Sequence, residues 1–138
     1  MDAGTAPRLV PVDDDHDTGG FWAAARRREL VVRMCNGCDA VLHLPRAYCH
    51  QCGGWDGRWQ AVAGEGRVYS WTTVDHQVHP WYPVPFTVVL VGLSDYPQVR
   101  LIGHLPGAPD LIEGHPVRVR FEELDDGVVL PQWELVCP

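Results

Sequence analysis

Four cysteines, arranged as two C-x-x-C pairs, dominate the chemistry available to this sequence. Cys35 and Cys38 form the first pair, Cys49 and Cys52 form the second, and ten residues separate the two pairs. This spacing is typical of a tetrahedral metal site, in which each pair forms a tight turn that points two sulfurs at one ion. We therefore predict one four-thiolate metal site with these four ligands.

Zinc is the metal that these ligands favour. An iron centre of the rubredoxin type uses the same four-thiolate geometry and is the less favoured alternative, because no second redox motif is present. Two disulfides in a secreted domain are a further alternative, but the chain does not open with the charged and then apolar segments of a secretory signal. A closed four-thiolate site has no open coordination position, so it stabilises a fold and does not activate water.

Glycines accompany both cysteine pairs. Gly37 lies inside the first pair, and Gly53 and Gly54 follow the second. We expect them to supply positive φ angles and the space that lets backbone N–H groups reach sulfur. Large aromatic residues come next in the sequence, and we expect Trp55 and Trp59 to cover the metal site.

Composition limits the classes of function. The chain has 138 residues, 46% of them hydrophobic, and a formal net charge of −7 with arginine as its only cationic residue type besides histidine. Nucleic-acid binding depends on clustered cations, so this charge opposes it. No apolar run approaches the roughly 20 residues of a membrane-spanning helix. We expect a soluble, cytoplasmic protein with reduced thiols.

Three segments differ in pattern. Residues 1–16, with three consecutive aspartates and no periodicity, predict a flexible N-terminal segment. Residues 17–60 hold a short amphipathic helix, predicted over roughly residues 20–29, and the zinc ribbon. Residues 61–138 are dominated by β patterns, and we assign them to a second domain.

The second domain is predicted to contain five strands. Alternating or continuously apolar segments mark them at residues 68–74, 87–93, 99–105, 117–121 and 128–136. Five strands in about 70 residues are typical of a closed or nearly closed barrel of the OB type. The predicted fold class is therefore mainly β: a five-stranded OB-type barrel with an N-terminal short helix and a rubredoxin-like zinc ribbon.

Two groups of aromatic residues are candidates for binding a partner or ligand. Phe21 and Trp22 lie on the short helix, which is too brief to be stable alone and must pack on this chain or on a partner. His79, Trp81 and Tyr82 lie in a loop that three prolines stiffen. Rigid aromatics in such a loop are typical of binding hot spots, although the same side chains could instead cover the barrel core.

No complete catalytic set is present in the sequence. The seven histidines match no hydrolase or metalloprotease motif, and the fifth cysteine, Cys137, is the penultimate residue, where a water-excluding pocket is hard to build. We therefore predict no catalytic residues and no catalysis by the chain alone.

The whole arrangement resembles the bacterial and archaeal family known as domain of unknown function thirty-five. The resemblance rests on four features. They are the Phe-Trp helix, the C-x2-C-x10-C-x2-C ribbon, the Gly-x-Val-Tyr-Ser-Trp-Thr segment at residues 66–72 and the Gly-x-Pro-Val-x-Val-x-Phe-Glu segment at residues 114–122. It spans residues 20–136 and implies a rubredoxin-like zinc ribbon joined to an OB-fold.

The resemblance also implies a function. Members are acyl-CoA-associated accessory subunits that join thiolase-like or lipid-transfer-protein-like enzymes in hetero-oligomers and help to form the channel for the CoA thioester. The partner can be a retro-aldolase of steroid side-chain degradation, in lipid metabolism. Two alternatives stand beside this reading: a free-standing acyl-CoA thioesterase or hydratase-like enzyme, and a single-stranded nucleic-acid binder.

Overall fold

A computed structural model of the chain describes residues 6–137 and is mainly β, with one short helix. Within these residues, seven strands form a two-stranded and a five-stranded sheet. In chain order the elements are α1 (Gly19–Arg26), β1 (Val31–Cys35), β2 (Gly57–Ala61), β3 (Glu65–Val74), β4 (Phe86–Leu93), β5 (Arg100–Pro106), β6 (Pro116–Glu123), a 3-10 turn at Asp125–Gly127, and β7 (Val129–Leu135).

The described residues fall into two compact units. The first, here called the ribbon unit, comprises Pro11–Ala63 and Phe121–Leu130. The second, here called the sheet unit, comprises Gly64–Arg120, the residues from Pro131 onward and the described residues up to Val10. The division into domains at residues 17–60 and 61–138 stays a prediction.

In the ribbon unit, β1 pairs antiparallel with β2, and the register sets Val31 opposite Ala61 and Cys35 opposite Gly57. β1 is almost fully buried, as its run of apolar residues predicts, and it ends on the first metal-ligand candidate. The strand β2 was missed in the sequence. Between the two cysteine turns, Val41 forms an isolated antiparallel bridge with Met34.

The helix α1 is shorter than predicted and ends at Arg26. Its N-terminus is held by Asp15, whose carboxylate accepts hydrogen bonds from the backbone N–H groups of Asp17 and Thr18 and from the Thr18 hydroxyl. These bonds lower the pKa of Asp15. The fully buried positions of the helix are Ala24 and Ala25.

The five-stranded sheet has the strand order β5-β4-β3-β6-β7. Between β5 and β3 lies β4, where alternate residues from Thr87 to Leu93 are buried, as expected for a strand whose side chains alternate between faces. The strand β3 pairs antiparallel with β4 and with β6, and β4 pairs antiparallel with β5. Five strands were predicted here, and their cores coincide with the predicted segments.

The predicted closed barrel needs a correction, because the sheet is open between its two edge strands β5 and β7. Side chains join the two strands where backbone pairing does not. The Gln132 side-chain oxygen on β7 accepts a hydrogen bond from the His104 backbone N–H on β5 at 2.9 Å. Trp133, which is 2% exposed, packs against Gly103 so closely that a Cβ there would lie 2.5 Å from its ring.

The predicted flexible segment, residues 1–16, lies partly outside the described residues, which begin at Ala6. Residues 6–13 have no regular secondary structure, yet the Trp81 indole N–H donates a hydrogen bond to the Ala6 carbonyl at 2.7 Å. The Arg8 guanidinium lies 5.7 Å from the Trp81 ring centre. Across residues 6–137, no helix is long and apolar enough to cross a membrane.

Candidate metal centre and aromatic surfaces

The four predicted ligands converge. Their sulfurs all lie within 4.8 Å of one another, and they form the only group of three or more metal-ligating side chains among residues 6–137. The Sγ atoms of Cys35 and Cys52 are 3.5 Å apart, and those of Cys38 and Cys49 are 3.7 Å apart. A tetrahedral zinc with Zn–S bonds of about 2.3 Å separates its sulfurs by about 3.8 Å. The cluster fits a structural zinc.

The two cysteine-bearing turns share one backbone pattern. In the first turn the Asp39 N–H donates to the Cys35 carbonyl at 2.9 Å, and in the second the Gly53 N–H donates to the Cys49 carbonyl at 2.9 Å. The first cysteine of each pair also donates its own N–H, at 2.9 Å, to the carbonyl five residues later, that of Ala40 or Gly54. Each turn therefore places its two thiols in the same way.

The glycines of these turns only partly fulfil the expectation. Gly53 has a φ of 76°, as expected, but Gly37 has no positive φ, and Asp39 takes the left-handed conformation in the first turn with a φ of 58°. Gly37 instead provides space. Its N–H donates to the Cys35 sulfur at 3.3 Å, and a Cβ on it would lie 3.3 Å from the Cys52 sulfur.

The thiols of the cluster differ in pKa. Hydrogen bonding from the Cys52 backbone is the main cause that lowers the pKa of Cys49 to about 7. Hydrogen bonding from the Ala40 backbone lowers the pKa of Cys38, but burial and the neighbouring thiols outweigh it and raise the value to about 12. Like charges at this spacing oppose one another, so four thiolates coexist only beside a cation.

Arg58 on β2 stabilises the first turn. Its guanidinium donates to the Asn36 side-chain oxygen and to the Asp39 carboxylate, both at 2.9 Å, and contacts the Cys35 carbonyl at 3.4 Å. Sequence reasoning missed this residue because the strand that carries it was also missed.

The two tryptophans expected to cover the metal site make their ring contacts with other residues. Trp55 is 73% exposed, and its ring lies against Tyr48, with centroids 5.2 Å apart. Trp59 lies on β2, and the Arg33 guanidinium is 5.3 Å from its ring centre. Buried side chains around the cluster are instead aliphatic, since Leu42 packs with Cys35 and Cys49 and is 2% exposed.

The candidate binding residues on the helix are half-buried. Phe21 and Trp22 stack edge to face, with centroids 5.0 Å apart. The Trp22 indole N–H donates to the Thr18 hydroxyl at 3.2 Å. Both rings therefore have contacts within the ribbon unit and still keep part of their surface exposed.

The candidate residues of the proline-rich loop lie in the sheet unit and have two environments. Tyr82 is half-buried in a ring cluster, with centroids 5.9 Å from both His79 and His104 and 6.2 Å from Phe86. Trp81 is 38% exposed and contacts the N-terminal segment described above. Tyr82 therefore anchors the loop, whereas Trp81 presents the larger accessible surface.

Comparisons with known proteins agree with this architecture. Residues 22–56 match the family described as "ChsH2, rubredoxin-like zinc ribbon domain", and residues 59–122 match the one described as "ChsH2, C-terminal OB-fold domain". A chain of a solved structure, "Ltp2-ChsH2(DUF35) aldolase", is 31% identical with a TM-score of 0.81. The match covers 91% of this chain and 98% of that one.

A relative from Thermomonospora curvata, "Probable enoyl-CoA hydratase alpha subunit", is 36% identical over 126 residues. The match covers 90% of this chain but only 39% of the relative. The chain thus spans about two fifths of the length of that protein.

Proposed function

The chain belongs to the ChsH2 family of proteins with a rubredoxin-like zinc ribbon and an OB-fold domain, and from this we propose that it is a non-catalytic accessory subunit. In the proposal it binds and supports a thiolase-like acyl-CoA enzyme in a hetero-oligomer and helps to form the channel for the CoA thioester. A retro-aldolase of steroid side-chain degradation is the specific partner that we propose. The proposal includes a cytoplasmic location, because thiols stay reduced there.

One observation carries the proposal: the similarity to the solved ChsH2(DUF35) aldolase chain extends over 98% of that chain. A likeness at 31% identity over the full length concerns both the ribbon and the sheet, and not merely a common metal-binding turn. The named complex pairs the ChsH2 component with a second component, Ltp2. This pairing supports a subunit role for the present chain.

The chemistry of the metal cluster supports an accessory role. The four thiolates of Cys35, Cys38, Cys49 and Cys52 would fill all positions of a tetrahedral zinc, so the metal would hold the ribbon and would offer no site for substrate. When bound, zinc supplies the cation that lets the four thiolates coexist. The groups that cleave a carbon–carbon or thioester bond then belong to the partner.

The finer fold assignment also belongs to this proposal. We infer an OB-type barrel in which side chains, and not backbone pairing, join β5 to β7. The Gln132 side-chain oxygen accepts a hydrogen bond from the His104 backbone N–H, and Trp133 packs on Gly103. The strand order β5-β4-β3-β6-β7 is the order of such a barrel opened between β5 and β7.

The two alternative functions receive less support. The hydratase named for the Thermomonospora curvata relative is a property of that whole protein, of which about three fifths have no counterpart in this chain. Nucleic-acid binding is opposed by the net charge of −7.

Co-purification tests the proposal directly. The chain is expressed with a thiolase-like protein from the same organism, and a tag on one protein should retain the other in a stable complex. CoA thioester turnover is then measured for each protein alone and for the mixture. We expect no turnover by this chain and full activity only for the mixture. Turnover by the purified chain, abolished by His76→Ala or His79→Ala, would overturn the accessory role.

A further inference from the structure

The ribbon unit contains an open cleft of about 740 Å³ beside the second cysteine turn. This volume falls within the range of roughly 300–1,000 Å³ typical of small-molecule sites. Its lining consists of two aromatic residues, three ionisable residues and two small apolar ones, namely Tyr48, Trp55, His16, Asp17, Arg46, Pro45 and Ala47.

The aromatic wall is held by the metal-binding turn. Tyr48 directly precedes Cys49, and Trp55 lies three residues after Cys52, so the two rings flank the turn. Their planes are inclined by 55°, and the side chains are 43% and 73% exposed. A four-thiolate site makes such a turn rigid, and rigid exposed rings lose little entropy when a ligand stacks on them.

Residues that are far apart in the sequence form the polar side of the cleft. The Asp17 carboxylate accepts a hydrogen bond from the Ala47 backbone N–H at 2.7 Å and so holds the loop that carries Arg46. The carboxylate is thereby partly satisfied. The Arg46 guanidinium and the Trp55 indole N–H have no hydrogen-bond or ion-pair partner among residues 6–137.

Two unpaired groups of the cleft, the Arg46 guanidinium and the Trp55 indole N–H, are therefore hydrogen-bond donors. Arginine binds phosphate in a planar, bidentate manner, and an exposed indole face accepts a stacked base. The lining pairs one arginine with one aspartate, and because the Asp17 carboxylate already accepts the Ala47 N–H, Arg46 is the charged group of the cleft that can bind an anion. A ligand that uses both features carries a planar aromatic ring and an anionic group.

We propose that this cleft binds an adenine nucleotide, with the base against Trp55 and a phosphate at Arg46. Both CoA and free nucleotides contain this group. If CoA is the source, the site deepens the proposed function, because it would place the nucleotide end of the partner's thioester substrate on the ribbon. Binding by the isolated chain does not depend on the partner, so the two proposals can fail separately.

Titration of the zinc-loaded full chain tests the site, followed by calorimetry and by quenching of tryptophan fluorescence. The probes are CoA, adenosine 3′,5′-bisphosphate, ADP and adenosine. We expect saturable 1:1 binding of the phosphorylated probes and binding of adenosine that is weaker by about tenfold or more, since it lacks the charge-assisted bonds. If CoA and the bisphosphate bind more tightly than ADP, the natural ligand of the cleft is CoA. If the affinities are equal, the natural ligand is a free nucleotide.

Variants locate the binding. Trp55→Ala and Arg46→Gln should each weaken it by about tenfold, and Arg46→Lys should retain part of the affinity. Trp71→Ala and Arg27→Gln change an exposed tryptophan and an exposed arginine elsewhere and should leave it unchanged. Zinc content and circular dichroism check that each variant is folded.

Three results would overturn the proposal. The first is that no phosphorylated probe shows saturable binding. The second is that Trp55→Ala and Arg46→Gln leave the binding intact. The third is that Trp55→Ala weakens the complex with the partner when no nucleotide is present. The last result would assign the cleft to a protein interface.

Discussion

Asp39 and Gly53 occupy the same position in the two metal-binding turns. Each follows the second cysteine of its pair, each has a left-handed backbone, with φ of 58° and 76°, and each donates its N–H to the carbonyl of the first cysteine. Aspartate tolerates this conformation better than most residues, whereas glycine adopts it without strain. The ion pair with Arg58 at 2.9 Å gives Asp39 a second role in its turn.

Gly53→Ala should therefore lower both stability and zinc affinity. A Cβ at a left-handed position costs about 1–2 kcal/mol, and here the cost falls on the conformation that positions Cys49 and Cys52. Gly114→Ala is the matched control, because Gly114 has a φ of 87° and open space around its Cβ position. Thermal unfolding should shift for both variants, but competition with a zinc chelator should reveal a weaker site only in Gly53→Ala. Equal zinc affinities would contradict the role assigned to the turn.

Each chain should contain one zinc, and Cys→Ser at Cys35, Cys38, Cys49 or Cys52 should remove it. Structural zinc is worth roughly 10 kcal/mol or more in small modules, so loss of one ligand should unfold the ribbon. Elemental analysis measures the metal, and limited proteolysis measures the ribbon. Cys137→Ser is the control, since Cys137 is exposed and outside the cluster. Folded protein that lacks zinc, or a red iron chromophore, would disprove the assignment.

The seam between β5 and β7 should be sensitive to small changes. Gly103→Ala places a methyl group 2.5 Å from the buried Trp133 ring and should destabilise the protein by about 1–3 kcal/mol. Gln132→Leu removes the acceptor for the His104 N–H and should cost a similar amount. Gly92→Ala meets only an ordinary contact at 3.5 Å in the same sheet and is the control. Denaturant unfolding measures the free energy of unfolding of each variant. An unchanged free energy for Gly103→Ala would show that β5 and β7 can separate at the seam.

The helix α1 provides a test of partner binding in the ribbon unit. Phe21→Ala or Trp22→Ala should weaken the complex by a few kcal/mol while the isolated chain stays folded, if their exposed surface meets the partner. Trp22→Phe loses the bond to Thr18 but retains a ring, so it separates that bond from the contact area. The thermal midpoint of the isolated chain is measured beside the affinity. Unfolding of the isolated variants would instead assign both rings to internal packing.

The metal ligands and most strands could be predicted because their signals are local. The spacing of four cysteines implies their convergence, and the alternation of apolar residues in β4 implies its buried face. The strand β2 could not be found in this way. Its five residues are only half-buried or exposed, so it is defined by pairing with β1 and not by a pattern of its own.

The cleft beside the second turn also lay beyond sequence reasoning. It depends on the hydrogen bond between Asp17 and Ala47, which are 30 residues apart, and on the contact between the Trp55 and Tyr48 rings. Likewise, the five strands predict an OB-type sheet, but only the side chains of Gln132 and Trp133 show how its open edges meet.

The proline-rich loop provides the last test. Trp81→Ala should weaken the complex with the thiolase-like partner by about 2 kcal/mol or more, since exposed tryptophans on rigid loops are typical hot spots. Tyr82→Ala should lower the thermal stability of the isolated chain, because Tyr82 packs with Phe86 and His104. Trp81→Phe keeps the ring but loses the hydrogen bond to Ala6, and Trp71→Ala removes a comparably exposed tryptophan elsewhere. Affinity is measured by calorimetry on the co-purified pair. If Trp71→Ala weakens the complex and Trp81→Ala does not, the partner binds a different face.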